Sequence, residues 1–446
     1  MREVSAPPSG FLIPRVLLAF ALCSVAVLLA MLSLAAKPPS GMRGISGGST
    51  GGSLFVDNNA VPFKGNTAAT AARMPLNPVG PRWVIMKSAN NGSPGTNELF
   101  AITCASALDC WAVGYSDTGI GYNTLIERWN GTVWAIVSSP NNSGNNILYG
   151  VTCPSTSDCW AVGTYYNDDL FQRTLVEHWD GAVWNIVSSP NRGLSSPPID
   201  VRVDVACVSA SECWAAGSND DSNGVGQTLI ERWDGMLWTI VNSPNASGSN
   251  SFQAVTCASP SPPEECWAVG ETVTDLGRAQ TLVEEWDGSA WSLVSSPNSG
   301  TYDDLLGVTC VSASDCRAVG YYSGVTNNQT LIEQWNGFVW AIVSSPNTST
   351  MQDNYLTAVA CASASDCSAV GYYANGSFLS QTLIERWDGT LWTIVSSPNP
   401  SGAQVSQLLG VTYPSGAQCW AAGYYANSNA PPQTLVETLH AAMMFQ

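Results

Sequence analysis

Charge is scarce in this sequence. Only 11% of its 446 residues are charged, and only Lys37, Lys64 and Lys87 are lysines. Acids outnumber bases 34 to 16, leaving a formal net charge of −18. The positive field needed to hold a phosphate backbone or an anionic lipid surface is missing, so nucleic acid is excluded as a partner. The acidity suits solubility outside a cell. Histidine is nearly absent too: His178 and His440 are the only two, and they lie far apart in the chain. They cannot supply the ligands and bases on which most hydrolases and oxidases depend.

Long apolar runs are missing except for one, Val16 to Ala36, "VLLAFALCSVAVLLAMLSLAA". Its 21 uncharged residues can cross a bilayer. Arg2 and Arg15 before it predict a cytoplasmic N-terminus with the remainder exported. The length favours an anchor over a cleaved signal peptide, although Ser33 and Ala35 suit cleavage after Ala35. Cys23 is not read as a lipid-attachment site, because the bulky Leu22 precedes it. Residues 1–36 are therefore expected to be an N-terminal hydrophobic helix, the chain's one contact with a membrane. Residues 37–80 open on "KPPSGMRGISGGSTGGS" and are expected to be a flexible linker.

What the chain has in abundance is repetition. The clearest copy runs "LTAVACASASDCSAVGYYANGSFLSQTLIERWDGTLWTIVSSPN", Leu356 to Asn399. Its signposts recur at Cys104, Cys153, Cys207, Cys257, Cys310, Cys361 and Tyr413, at spacings of 49 to 54 residues. Periods near 50 indicate propeller blades or similar arrays. Each copy reads as four short strands, here Leu356–Cys361, Cys367–Tyr373, Gln381–Trp387 and Leu391–Val395. Asp388-Gly389 between the last two predicts a two-residue type I′ hairpin with positive φ at both positions.

The third-strand phrase occurs seven times, beginning at Thr124, Thr174, Thr228, Thr281, Thr330, Thr382 and Thr434, and the last has no fourth strand after it. "PRWVIMKSAN", Pro81 to Asn90, supplies the missing strand from the other end of the chain. The expected architecture is all-β: a seven-bladed propeller of four-stranded antiparallel blades over residues 81–440, with a short tail at 441–446. The N-terminal strand completes the last blade and leaves no free edge.

"CASASDCSAVG" followed by "TLIERWDGTLWTIVSSPN" resembles the repeats of secreted, largely uncharacterised bacterial β-propeller proteins. More distantly it is similar to kelch and galactose-oxidase-type propellers, although each copy has one glycine, such as Gly371, where kelch blades have a pair. The catalytic sets of those relatives do not carry over: the histidines of a galactose-oxidase copper site are lacking, and "SASDCSAVG" departs from the sialidase Asp-box spacing.

Twelve cysteines pair within copies, as Cys104 with Cys110, Cys153 with Cys159, Cys207 with Cys213, Cys257 with Cys266, Cys310 with Cys316, and Cys361 with Cys367. Facing positions across a hairpin suit disulfides with Cα atoms about 5.5 Å apart. Zinc sites would need ligands from separate copies. Cys419 lacks a local partner because Tyr413 stands in the first position, so it is expected to be a buried free thiol, with an intermolecular bridge as the alternative.

One carboxylate recurs in every third strand: Glu127, Glu177, Glu231, Glu284, Glu333, Glu385 and Glu437. Repetition in every copy is what a structural hydrogen bond between blades produces, and the recurrent tryptophans read as blade packing. The loops after the second and fourth strands vary in length, which is where repeat proteins place recognition. Tyr115, Tyr165, Tyr321, Tyr372 and Tyr424 mark that end, and Asp220, Asp221 and Asp275 flank it. These eight are the candidate ligand-binding residues, suited to a glycan or protein partner. No catalytic residue and no organic cofactor is expected, and calcium is the one ion the acids admit. The expected role is an extracellular binding or scaffold module without enzymatic activity. The alternatives are a glycan-active hydrolase or lyase using channel carboxylates, and a purely structural surface protein.

Overall fold

The computed structural model describes residues 81–440 apart from 93–94, 168–170, 192–199, 259–264, 275, 378 and 416–417. The expected hydrophobic helix at 1–36, the linker at 37–80, the tail at 441–446 and Asp275 lie outside the described residues. Among the described residues no helix is long and apolar enough to cross a membrane.

Twenty-eight strands, β1 to β28 in chain order, form the described structure. β1 (Arg82–Met86) stands alone at the start; β2 (Asn97–Ser106), β3 (Asp109–Asp117), β4 (Tyr122–Trp129) and β5 (Trp134–Val137) then make the first complete antiparallel sheet. Four further four-stranded sheets repeat that order, and an eight-stranded sheet closes the molecule. The last comprises two four-stranded antiparallel runs joined at one parallel pair, Ser380 with Val405. In one of these runs β1 lies against β28 (Gln433–His440), with Trp83 opposite Leu439 and Ile85 opposite Glu437. The chain end that lacked its fourth strand receives it from residues 82–86, as the repeat arithmetic predicted.

The first strands of successive copies are β2, β6 (Asn146–Ser155), β10 (Asp200–Ser209), β14 (Ser249–Cys257), β18 (Asp303–Ser312), β22 (Asn354–Ser363) and β26 (Ala403–Ser415). Each touches the next, and β26 touches β2, so they form a closed circuit around a centre. This is a propeller arrangement, in which radial repetition leaves only short edges. Seven hydrophobic clusters fill the seams between consecutive copies. The closing seam, where Trp420 meets Trp129 at 5.0 Å and Trp134 at 5.4 Å, repeats the one where Trp111 meets Trp179 at 4.9 Å and Trp184 at 5.3 Å. The tryptophans are therefore packing residues. In the two copies where the second-strand tryptophan is replaced, Arg317 sits over the Trp387 ring and Ser368 bonds the Tyr413 hydroxyl at 2.8 Å.

The single glycine of each second strand has a steric cause. A residue is bulged out of each first strand beside it, as between Leu356 and Ala358, and the first-strand backbone swings towards Gly371. A Cβ on Gly371 would lie 2.0 Å from the Tyr355 carbonyl oxygen, and Gly114, Gly163, Gly320 and Gly423 face the same obstruction at 1.9 Å.

Two local expectations are corrected. The third-to-fourth hairpins are not two-residue type I′ turns: Trp387 pairs with Trp392, so four residues form the loop and Asp388 does not have positive φ. Gly389 alone does, at 94°, while the Asp388 carboxylate accepts the Thr390 and Leu391 N–H groups at 2.8 and 3.0 Å. The aspartate acts as a side-chain cap that makes a second positive φ unnecessary. The six disulfides pair as expected, but their Cα atoms lie only 3.9–4.0 Å apart. Cys419 is buried and free, and burial raises its thiol pKa, so it is a poor nucleophile.

Candidate functional site

In the first, second, third, fifth and sixth copies both uniform turns lie at one end of the sheet. Gly131 approaches Leu108, and Gly389 approaches Ser365, so the third-to-fourth loop rests on the first-to-second turn. The variable loops are thereby left at the opposite end, where first strands begin and second strands finish.

The recurring glutamates are structural. Glu127, Glu177, Glu231, Glu284, Glu333, Glu385 and Glu437 are all fully buried. Ser139 links Thr124 of its own copy, at 2.9 Å, to Glu177 of the next, at 2.5 Å. The same Thr–Ser–Glu chain passes through Ser243 to Glu284 and through Ser397 to Glu437. Across the closure it runs from Thr434 to Ser88 at 2.8 Å and from Ser88 to Glu127 at 2.6 Å. Burial pushes the carboxyl pKa up to about 7 in Glu127 and about 8 in Glu177, Glu284, Glu333, Glu385 and Glu437.

The candidate tyrosines divide into two groups. Tyr321 and Tyr372 are brought together by Tyr355, whose ring centroid is 4.9 Å from each, and Tyr302 extends the row at 6.1 Å from Tyr321. Tyr115 packs 5.8 Å from Phe100 and 4.9 Å from Tyr122, and Phe100 reaches Tyr149 at 5.3 Å. Tyr424 donates to Gln407 at 2.9 Å.

Tyr165 does not join either group. The position equivalent to Tyr115 in the second copy is Thr164, opposite Thr174 as Tyr115 is opposite Thr124. A shift of one residue turns a side chain to the other face of its sheet, and Tyr165 packs at a seam between copies, as Tyr322, Tyr373 and Tyr425 do. Asp221 is likewise engaged in its own loop, accepting the Asn223 and Val225 N–H groups at 2.7 and 3.0 Å, which lowers its pKa. Asp220 is half-buried, and burial raises its pKa.

Glu98 and Asp304 at this end went unnoticed in the sequence, whereas Glu271 stands out there as the fourth copy's residue at the position where four copies have tyrosine. Glu98 on β2 meets the Tyr115 hydroxyl, and burial lifts its pKa to about 7. Glu271, on the second strand of the fourth copy, meets the Tyr302 hydroxyl. Asp304 on β18 stands beside it, and burial and the Glu271 charge hold its pKa well above the ordinary range. The two carboxyls thus repel each other across a seam between consecutive copies. First-strand acids vary from copy to copy, so no repeat signal marks them; only the alternation of β18, which puts Asp304 opposite Tyr321, could have done so.

Among the described residues no group of three or more His, Cys, Asp or Glu is placed to hold a metal ion. A concavity of about 440 Å³ beside the closing strand, lined by Met86, Lys87, Trp129, Val133, Trp134 and Ile136, lies away from both tyrosine groups.

No family model matches the chain. No curated protein matches it. Among solved structures it is similar to YCF48 from Cyanidioschyzon merolae, at 12% identity over 80% of this chain and 98% of that one, with a TM-score of 0.47. A protein of unknown function from Dyadobacter fermentans matches at 8% identity over 82% and 99%, with a TM-score of 0.48. SapL1 lectin in complex with alpha methyl fucoside matches at 14% over 70% and 98%, with a TM-score of 0.43. Likenesses this distant carry no argument, so the architecture rests on the strand pairing. The kelch and galactose-oxidase likeness stays an expectation.

Proposed function

We propose that the chain is a seven-bladed, closed propeller that acts outside the cell as a binding module, recognising a glycan or protein through its variable-loop end. The observation that carries this reading is the concentration of tyrosine rings and buried carboxyls at that end, while the opposite end is uniform turn structure. Aromatic faces with a few convergent polar groups are the usual lining of a recognition surface. Six disulfides support an oxidising compartment. Membrane attachment through residues 1–36, and calcium as the one ion the acids admit, belong to the same proposal.

The test is a glycan array and a protein-capture screen on the full chain, with and without calcium, beside a product assay on whatever binds. Saturable binding without turnover, weakened at least tenfold by Tyr372→Ala, is the expected outcome. Binding that survives that change removes the site assignment.

A glycan-active enzyme is the second reading, and the Glu271–Asp304 pair is the specific observation in its favour. Two neighbouring carboxyls whose pKa values burial raises are the raw material of acid–base catalysis. Product release in the same assay, abolished by Asp304→Asn, would replace the binding-only reading.

A further inference from the structure

We propose that Glu271 and Asp304, walled by Tyr302, Tyr321 and Tyr355, form a site for an organic cation that carries N–H groups, a primary ammonium or a guanidinium. The inference rests on the binding-module reading and names the ligand chemistry of that same surface.

Three observations converge. Asp304 is only 5% exposed, yet its Oδ1 has no hydrogen-bond partner, and Glu271 Oε2 is buried and unpartnered as well. Leaving such acceptors unmade costs on the order of 1–3 kcal/mol each, a cost that a donor-bearing ligand removes. The titratable groups facing the pair are Tyr302 and Tyr321, with Tyr355 beyond Tyr321, and none of them is cationic. A positive charge is the missing complement. Finally, aromatic rings surround the acids: Tyr302 and Tyr321 stack at 21°, and Tyr355 stands edge-on to Tyr321 at 68°. Aromatic rings are favourable neighbours for a cation. Tyr302 is held in place from the preceding copy by a parallel bridge to Ala279.

The second acidic position is different. Glu98 receives the Tyr115 hydroxyl as Glu271 receives that of Tyr302, but neither Glu98 oxygen is among the unpartnered buried atoms. At the fourth-to-fifth seam, by contrast, unpartnered carboxyl oxygens from two neighbouring copies stand beside the same tyrosines. Bare oxygens call for donors, so a quaternary ammonium, which has none, satisfies the charge and leaves the hydrogen bonds unmade.

The experiment is isothermal titration calorimetry of the full chain with ethylguanidinium and n-butylammonium, and with tetramethylammonium for comparison, at pH 5 and pH 8. The N–H cations are expected to saturate a single site at pH 8, at least tenfold more tightly than tetramethylammonium. Binding should weaken at least tenfold at pH 5, because protons compete with the cation for carboxyls whose pKa is raised. Glu271→Gln and Asp304→Asn should each lose tenfold or more at pH 8, with unchanged circular dichroism. If neither variant folds, the pH dependence and the comparison cation decide alone. Titrations with no saturable heat, or equal binding by both folded variants, overturn the site. A blank titration beside positive arrays removes the cation and leaves the module. Saturable cation binding beside blank arrays keeps the site and removes the glycan or protein reading.

Discussion

At the scale of the residue, the most consequential groups are the seven buried glutamates. A carboxyl whose folded pKa lies above its unfolded value binds an extra proton on folding, so its contribution is complete below about pH 4.5 and lost as pH rises through the folded value. With folded values of about 7 to 8 in six of them, stability is expected to be greatest in acid and to decline between about pH 4.5 and pH 8. Urea midpoints across that range check it, and a flat profile would contradict it. Glu385→Gln keeps an acceptor for Ser345 but cannot ionise. It should be nearly neutral at pH 5 and stabilising on the order of 1–3 kcal/mol at pH 8. The identity and repetition of these glutamates were legible in the chain. Their partners were not, because Ser397 and Glu437 belong to different copies and meet only when sheets pack.

At the scale of the element, the strand order and disulfides could be read from spacing, because a four-stranded meander makes neighbours in sequence neighbours in space. The turn type was misread, since a dipeptide does not reveal whether an aspartate side chain will do the work of a second positive φ. The bulge was invisible for a similar reason: it depends on the fit of Leu356–Ala358 against Gly371, not on either segment alone. Gly371→Ala should therefore cost roughly 2–4 kcal/mol, through the clash with the Tyr355 carbonyl, whereas Gly389→Ala should cost roughly 1–2 kcal/mol, through its backbone conformation and a Cβ placed 2.9 Å from the Ser365 side chain. Chemical denaturation of the two variants measures the difference, and the reverse ranking would refute the account.

At the scale of the whole molecule, closure is the feature on which the rest depends. β1 covers the edge of β28, Trp83 packs into the last seam, and Ser88 completes the hydrogen-bond circuit to Glu127. Deleting residues 81–90 from the chain should expose a pairing edge and strip Glu127 and Thr434 of partners, giving oligomers or aggregates on size-exclusion chromatography where the intact chain gives one sharp species. A truncated chain that stays monomeric and keeps its melting temperature would show that the ring does not need its closing strand.

The sequence by itself determined the period, the four-strand copy, the complementary ends and the cysteine pairs, because each is a relation between residues close in the chain or identical in every copy. Only the tertiary structure decided which tyrosines share a surface. It moved Tyr165 to a seam through a one-residue register difference, and it joined Glu271 to Asp304 from separate copies. Local pattern specifies strands and turns, whereas a site is made where side chains from different copies converge, and that convergence is set by how the sheets pack around the ring.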